Sequence, residues 1–210
     1  MADPAHLSVV GEGKVEGVPD CCIVHAALNV MADTVADAVS RVGLLSSQVS
    51  ESLKTSGLTP ADLRTTGLSV QDLFDQGKQR VTARVASYQL EITIRQLTKL
   101  DDHVAGLVSV AGDSLQIRAL QLTIADPEPL KRDARVAATK DAHTRATELA
   151  EAAGGRLGRT LSIDEVSSAA DPPYRGFATR VSSPVATHLQ VEPGSLTVSC
   201  KVAVTYELSD

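Results

Sequence analysis

The clearest strand pattern in the sequence is ASYQLEITIR, residues 86–95. Apolar and polar side chains alternate along it, so one face of the predicted strand is apolar and the other is polar. A period of two indicates a strand, and burial of one face alone is typical of antiparallel sheets. The stretch therefore predicts an antiparallel sheet that helices cover on one side.

The segments on either side of this strand carry strand and helix signals in a regular order. Strands are predicted over 7–15, 21–30, 65–75, 79–97, 115–124, 160–166 and 195–208, and helices over 34–56, 98–110 and 127–153. The turn Val18–Asp20 predicts that the first two strands form a hairpin. The fold class is therefore α+β, with antiparallel sheet(s), helices packed on one face and the order ββαββ-αβαββ.

The organisation of the chain follows from this order. We predict a single domain over residues 1–210, built from two similar halves, 1–97 and 98–210, that share a sheet. An extended loop is predicted over 167–188, because this segment is rich in proline and has no strand or helix period.

Composition excludes several classes of function. The chain has 210 residues, a net charge of −6 and 2% aromatic residues, whereas nucleic-acid binders concentrate basic residues and stack bases on aromatic rings. No apolar run approaches the length needed to span a bilayer, so we expect no membrane span. The start lacks an export signal, which predicts a cytoplasmic protein as written, or a periplasmic or secreted one if the N-terminus is truncated.

The sequence contains no catalytic, cofactor-binding or metal-binding motif. The five histidines are scattered, and Gly11 and Gly13 lack the third glycine of a dinucleotide fingerprint, so they are interpreted as strand residues. His143 lies on a helix face of mixed charges, which predicts a solvated surface rather than an acid or base with a tuned pKa. We expect no enzyme activity, no cofactor and no metal.

The three cysteines, Cys21, Cys22 and Cys200, are an odd number in a chain of this length, so reduced thiols are expected. Cys22 and Cys200 fall in apolar rows and are predicted to be small core residues. Cys21 lies on the opposite strand face, is expected to be more accessible, and is the candidate redox thiol.

The predicted loop over 167–188 carries Tyr174, Arg175 and Phe177 in a chain that is otherwise poor in aromatic residues. Aromatic and arginine side chains are enriched in interface anchors, so these three are the candidate interaction residues. The alternatives are a loop that folds back over its own core and a disordered loop.

Four stretches, LSVVGEGKVEGVPDCCIVHAALNV, YQLEITIRQLTKLDDHV, the helix from DPEPLKRDARVAATK onward and VEPGSLTVSCKVAVTYEL, together resemble the SIMPL domain family, in the family's order. This family of unknown function includes periplasmic immunogenic proteins and a kinase-associated signalling adaptor. The resemblance implies an α+β fold, a tendency of bacterial members to form ring- or channel-like homo-oligomers, and a stress-related role.

The main hypothesis is a non-enzymatic, self-assembling SIMPL-domain protein that serves as an oligomeric scaffold or protein-interaction module. Its polar strand faces and the 167–188 loop would supply the contacts between subunits or to a protein partner. The alternative is a small-ligand-binding protein or enzyme with a pocket between helices and sheet, which would use His25, Glu91 or Cys21.

Overall fold

The computed structural model describes residues 5–75, 77, 79–166 and 192–209. Its elements are, in chain order, β1 (His6–Gly17), β2 (Cys21–Ala32), α1 (Val35–Thr55), β3 (Leu63–Asp75), β4 (Arg80–Ile94), α2 (Leu100–Ala111), β5 (Leu115–Thr123), α3 (Glu128–Ala152), β6 (Arg156–Glu165) and β7 (Leu196–Ser209). This order confirms the predicted α+β class and the order ββαββ-αβαββ.

The described residues form two compact units. The three-stranded unit contains residues 5–19, 124–166 and 194–209, and the four-stranded unit contains the described residues of 20–123 together with 192–193. The chain therefore starts in the three-stranded unit, builds the four-stranded unit and then returns.

The four-stranded unit is an antiparallel sheet with the strand order β3-β4-β2-β5. The apolar residues predicted on β4 lie on the side that carries α1 and α2, where Ile92 and Ile94 join the core with Val42 and Val49 of α1 and Leu107 of α2. The alternation along ASYQLEITIR thus identified the face of the sheet that the helices cover.

Local signals define the ends of α1. The hydroxyl of Thr34 accepts a hydrogen bond from the backbone N–H of Asp37 at 3.2 Å, which satisfies one of the free donors of the first turn. After Thr55 the chain turns at Gly57, whose φ of +101° is one that residues with a Cβ rarely adopt. The helix therefore begins and ends where the sequence predicts.

The three-stranded unit is an antiparallel sheet with the order β1-β7-β6, and α3 packs on one face. On β7 every second residue from Leu196 to Tyr206 is buried, as its alternation predicts. The buried face of α3 is a row of alanines four residues apart: Ala134, Ala138, Ala142, Ala146 and Ala150.

Strand β1 fits this alanine row because Gly11 and Gly13, which face it, have no side chain. A Cβ on Gly11 would overlap the Ala138 carbonyl oxygen and lie 2.5 Å from the Ala142 nitrogen. A Cβ on Gly13 would overlap the Ala134 carbonyl oxygen. The glycines therefore let the backbones of helix and strand come into direct contact, and they are strand residues as predicted.

Two predictions about strand pairing are wrong. β1 and β2 do not form a hairpin, since β1 pairs with β7 and β2 pairs with β4 and β5. The strands also do not share one sheet. Each of the two sheets combines strands from before and after residue 97, because β1 pairs with β7 in one sheet and β2 pairs with β5 in the other. That residues 1–210 form one domain of two similar halves stays a prediction.

Candidate functional site

A half-open cavity of about 240 Å³, lined by polar and apolar residues, lies in the four-stranded unit. It forms where several element ends meet: the end of α1, the 3-10 turn Pro60–Asp62, the end of β4 and the start of α2. The polar side chains that line it are Ser56, Thr59, Asp62, Arg95, Gln96, Lys99 and His103. Cavities with converging polar groups are the usual places where small molecules bind.

Asp62 is a buried carboxylate of this cavity, and its neighbours satisfy it. It accepts hydrogen bonds from the backbone N–H of Thr59 at 3.0 Å, from the Thr59 hydroxyl at 2.6 Å and from Nε of Arg95 at 2.8 Å. Burial raises the pKa of Asp62, but these bonds from Thr59 and Arg95 outweigh it and hold the pKa below its ordinary value. Asp62 is therefore an ionised group that holds Arg95 in place.

His103 is a buried residue of α2 that lines the same cavity. The hydroxyl of Ser56 donates to the Leu53 carbonyl oxygen at 2.8 Å, so its oxygen is left to accept from Nδ1–H of His103 at 3.0 Å. The neutral ring then carries its lone pair on Nε2. Burial, and next the positive charge of Lys99, lower the pKa of His103, which favours this neutral form.

Arg95 and Lys99 give the cavity its positive charge. The Arg95 side chain is 59% exposed and pairs with Asp62 through Nε, which leaves its two terminal nitrogens available. In the described part of the chain Lys99 forms no ion pair. With Asp62 counted against Arg95, the lining has one positive charge in excess.

A second polar cluster lies on the sheet face that points away from α1 and α2. This polar face carries His25, Asn29, Gln89, Glu91 and Gln121. His25 Nδ1 is 3.6 Å from Glu91 Oε1, and its Nε2 is 3.4 Å from Gln121 Oε1. Glu91 also lies 3.6 Å from a terminal nitrogen of Arg64 on β3. The side chains of His25 and Glu91 are about one-third exposed and that of Arg64 is 78% exposed, so the cluster is a partly solvated surface network.

The cysteines are buried. Cys22 and Cys200 are core residues as predicted, but the expectation that Cys21 is accessible is wrong, since it is 2% exposed. Burial, followed by the charge of Asp20, raises the pKa of Cys21, and burial raises that of Cys22 to about 11. A thiol in this setting is a poor nucleophile. Cys21 as a redox thiol stays an untested prediction that this environment disfavours.

The other predicted site residues lie elsewhere. Tyr174, Arg175 and Phe177, with the whole of the 167–188 loop, lie outside the described residues. His143 on α3 is exposed and its ring is 6.0 Å from that of Tyr206. Within the described ranges no cluster of His, Cys, Asp and Glu side chains is suited to a metal ion, and no helix has the length and apolarity to cross a membrane.

Reasoning from sequence missed the cavity because its residues come from separate elements. Arg95 and His103 follow Asp62 by 33 and 41 positions, and the three belong to no motif with fixed spacing. One local signal was present. Thr59-Pro60 followed by Asp62 marks a tight helical start whose acidic residue folds back on the chain, and the structure has this capping box.

A family model and several known proteins match this chain over nearly its whole length. The family model described as SIMPL, protein of unknown function (DUF541), matches residues 7–206. The chain is 28% identical over 222 residues to the 26 kDa periplasmic immunogenic protein of Brucella melitensis, covering 98% of this chain and 85% of that protein. It is 26% identical over 211 residues to the uncharacterized protein YggE of Escherichia coli, covering 99% and 85%.

Proposed function

Since the chain belongs to the SIMPL family, a family of unknown function, we propose that it is a non-enzymatic protein that assembles with copies of itself through the polar face of its four-stranded sheet. The assembly would serve as a scaffold or protein-interaction module. The observation that carries this proposal is the polar face, a surface formed by side chains of neighbouring strands.

The polar face has the properties of a surface that a second subunit can cover. Among the described residues of this unit, no helix packs on it, because α1 and α2 both join the core on the other side. Several of its side chains already have partners, as His25 does in Glu91 and Asn29 does in Gln116 at 3.4 Å. Covering satisfied polar groups costs less than burying unpaired ones.

The family resemblance supports the same proposal, because it implies that bacterial members form homo-oligomers. Strand edges add to it. The outer edge strand β6 exposes Leu161 and Ile163, at 44% and 55%, and an exposed edge strand can pair with another chain.

A charge placed on the polar face tests the proposal. Gln89 lies on β4 in the middle of this face, whereas Gln48 is exposed on α1. Gln89→Arg should shift the protein to smaller species in sedimentation velocity, because an unpaired charge at a subunit interface must be desolvated. Gln48→Arg, the matched control, should sediment as the unmodified protein does. A Gln89→Arg protein that folds and keeps the full assembly would contradict the proposal.

The alternative of a pocket built from His25, Glu91 or Cys21 receives less support. It requires a site between helices and sheet, but His25 and Glu91 lie on the opposite face and Cys21 is buried. The cavity of the four-stranded unit has other lining residues, and it is compatible with an assembling protein.

The cellular location of the protein is part of the proposal. The Brucella relative, aligned over nearly the whole chain, is named a periplasmic protein, and this favours the periplasm over the cytoplasmic location expected from the sequence as written. Fractionation of cells that express the native gene checks this. Recovery in the periplasmic extract is expected, and recovery with a cytoplasmic marker would contradict it.

A further inference from the structure

The cavity of the four-stranded unit has features that the proposed assembly does not use. At about 240 Å³ it is smaller than the roughly 300–1,000 Å³ of pockets that hold drug-sized ligands. A ligand that fits inside this cavity would therefore be a molecule of few atoms. The lining decides which chemistry such a molecule must have.

The charged groups favour an anion. Asp62 accepts three hydrogen bonds, one of which comes from Nε of Arg95 and orients that side chain. The negative charge of Asp62 is therefore balanced by Arg95 and Thr59 and does not need a ligand. The terminal nitrogens of Arg95 and the ammonium of Lys99 remain as donors at the cavity. A guanidinium fixed by a carboxylate on one edge presents its other edge to an oxyanion in a defined orientation.

His103 adds a requirement of a different kind. Its Nδ1–H is used by the Ser56 oxygen, and Nε2 makes no hydrogen bond within the described part of the chain. In the neutral ring this nitrogen accepts a hydrogen bond and does not donate one. It would repel a bare oxyanion and bind a hydroxyl hydrogen.

We propose that this cavity binds a small oxyanion that also carries a hydroxyl hydrogen, with its charged oxygens on Arg95 and Lys99 and its hydroxyl donating to Nε2 of His103. Hydrogen phosphate and short 2-hydroxycarboxylates share this chemistry. The site is independent of the proposed assembly, since none of its residues lies on the polar face as defined by its five side chains.

Paired probes test the hydroxyl requirement on the full chain. Isothermal titration calorimetry near neutral pH compares inorganic phosphate with sulfate and lactate with propionate, since the second probe of each pair lacks the hydroxyl hydrogen. Phosphate, lactate or both should bind at one site per chain, about tenfold more tightly than the matched probe. A hydroxyl-bearing probe that does bind, but no more tightly than its partner, overturns the assignment of His103.

Which hydroxyl-bearing probe binds distinguishes the two ligand sources. Binding of phosphate alone identifies a phosphate-type ligand, and binding of lactate alone a hydroxycarboxylate. The absence of saturable binding of both at about 10 mM overturns the proposal as a whole.

Two variants separate the site from general charge effects. Lys99→Gln removes an exposed cation of the lining and should weaken binding about fivefold. Lys140→Gln makes the same change on the exposed side of α3 and should leave the affinity unchanged. Equal weakening by both variants would contradict a localised site, because it would show that net charge alone attracts the anion.

Discussion

At Asp62, burial and hydrogen bonding act on the pKa in opposite directions. Burial favours the neutral acid, whereas bonds from Thr59 and Arg95 favour the carboxylate, and the pKa falls below its ordinary value. A carboxyl group with a lowered pKa stabilises the fold above its unfolded pKa of about 3.9, and this contribution is lost as the pH falls through the folded value.

Asp62→Asn should therefore destabilise the protein in a pH-dependent way. At neutral pH we expect a loss of about 2 kcal/mol in the free energy of unfolding, because bonds to a charged acceptor become weaker. The difference should shrink as the pH falls below about 4, where the unfolded chain binds a proton at this carboxyl, and it should vanish once the pH is below the lowered pKa of the native carboxylate. Urea unfolding of both proteins across this range measures it.

Asp133→Asn is the control for this measurement, since Asp133 is exposed on α3. It should change the free energy of unfolding by less than about 0.5 kcal/mol at every pH. A loss in Asp62→Asn that stays constant down to about pH 2 would show that the carboxylate charge does not stabilise the native state.

Cys21 allows a second prediction at the scale of one residue. Because it is 2% exposed and burial raises its pKa, mild peroxide should leave it unmodified in the folded protein and oxidise it after unfolding in urea. Mass spectrometry of the peptide that contains Cys21 and Cys22 reads both states. Rapid sulfenic acid formation at Cys21 in the folded protein would revive the redox prediction.

The sequence predicts only part of the candidate cavity. The sequence predicts that Thr59 and Pro60 start a helical turn, because capping is local. It does not predict that Arg95 or His103 reaches the same place, because that depends on where β4 ends against α1 and α2. Sites built from the ends of several elements have no signature along the chain.

Among the elements, α3 and β1 show the closest fit between sequence and packing. The alanine row on α3 and the glycines of β1 have one physical cause, the approach of two backbones without side chains between them. The helical period also places Leu149 near the apolar side of α3, but this side chain is 51% exposed. The buried row of the helix consists of the small alanine side chains.

Gly11→Ala should separate β1 from α3. The added methyl group would overlap the backbone of Ala138, and overpacking of this kind costs about 1–3 kcal/mol. Thermal unfolding should show a clear decrease in Tm.

Gly106→Ala is the matched control, because this helical glycine has no atom within 4 Å of a new Cβ. Alanine suits a helix better than glycine, so Gly106→Ala should stabilise the protein by up to about 1 kcal/mol. A Gly11→Ala protein as stable as the original would mean that α3 does not lie against β1 as described.

The elements themselves were predictable, but their pairing was not. Caps, prolines and periodicity fix α1, α3 and β4 within a few residues, because these signals are local. The partner of β1 is β7, at the other end of the chain. Alternation reveals which face of a strand is buried but carries no information on its neighbour, so the short Val18–Asp20 turn led to the wrong hairpin.

For the whole molecule, we propose that a SIMPL chain of two compact units assembles through one exposed polar sheet face. The polar face, the edge strand β6 and the family resemblance all favour contacts between copies. The cavity adds a binding site that a single chain already contains, so ligand binding and assembly can be measured separately.

Self-assembly is tested by the mass of the purified protein in solution, measured by size-exclusion chromatography with multi-angle light scattering. The chain has a mass of 22.0 kDa. We predict one discrete species at a whole multiple of this value, stable on dilution to micromolar concentration. A single species at the mass of one chain would contradict self-assembly.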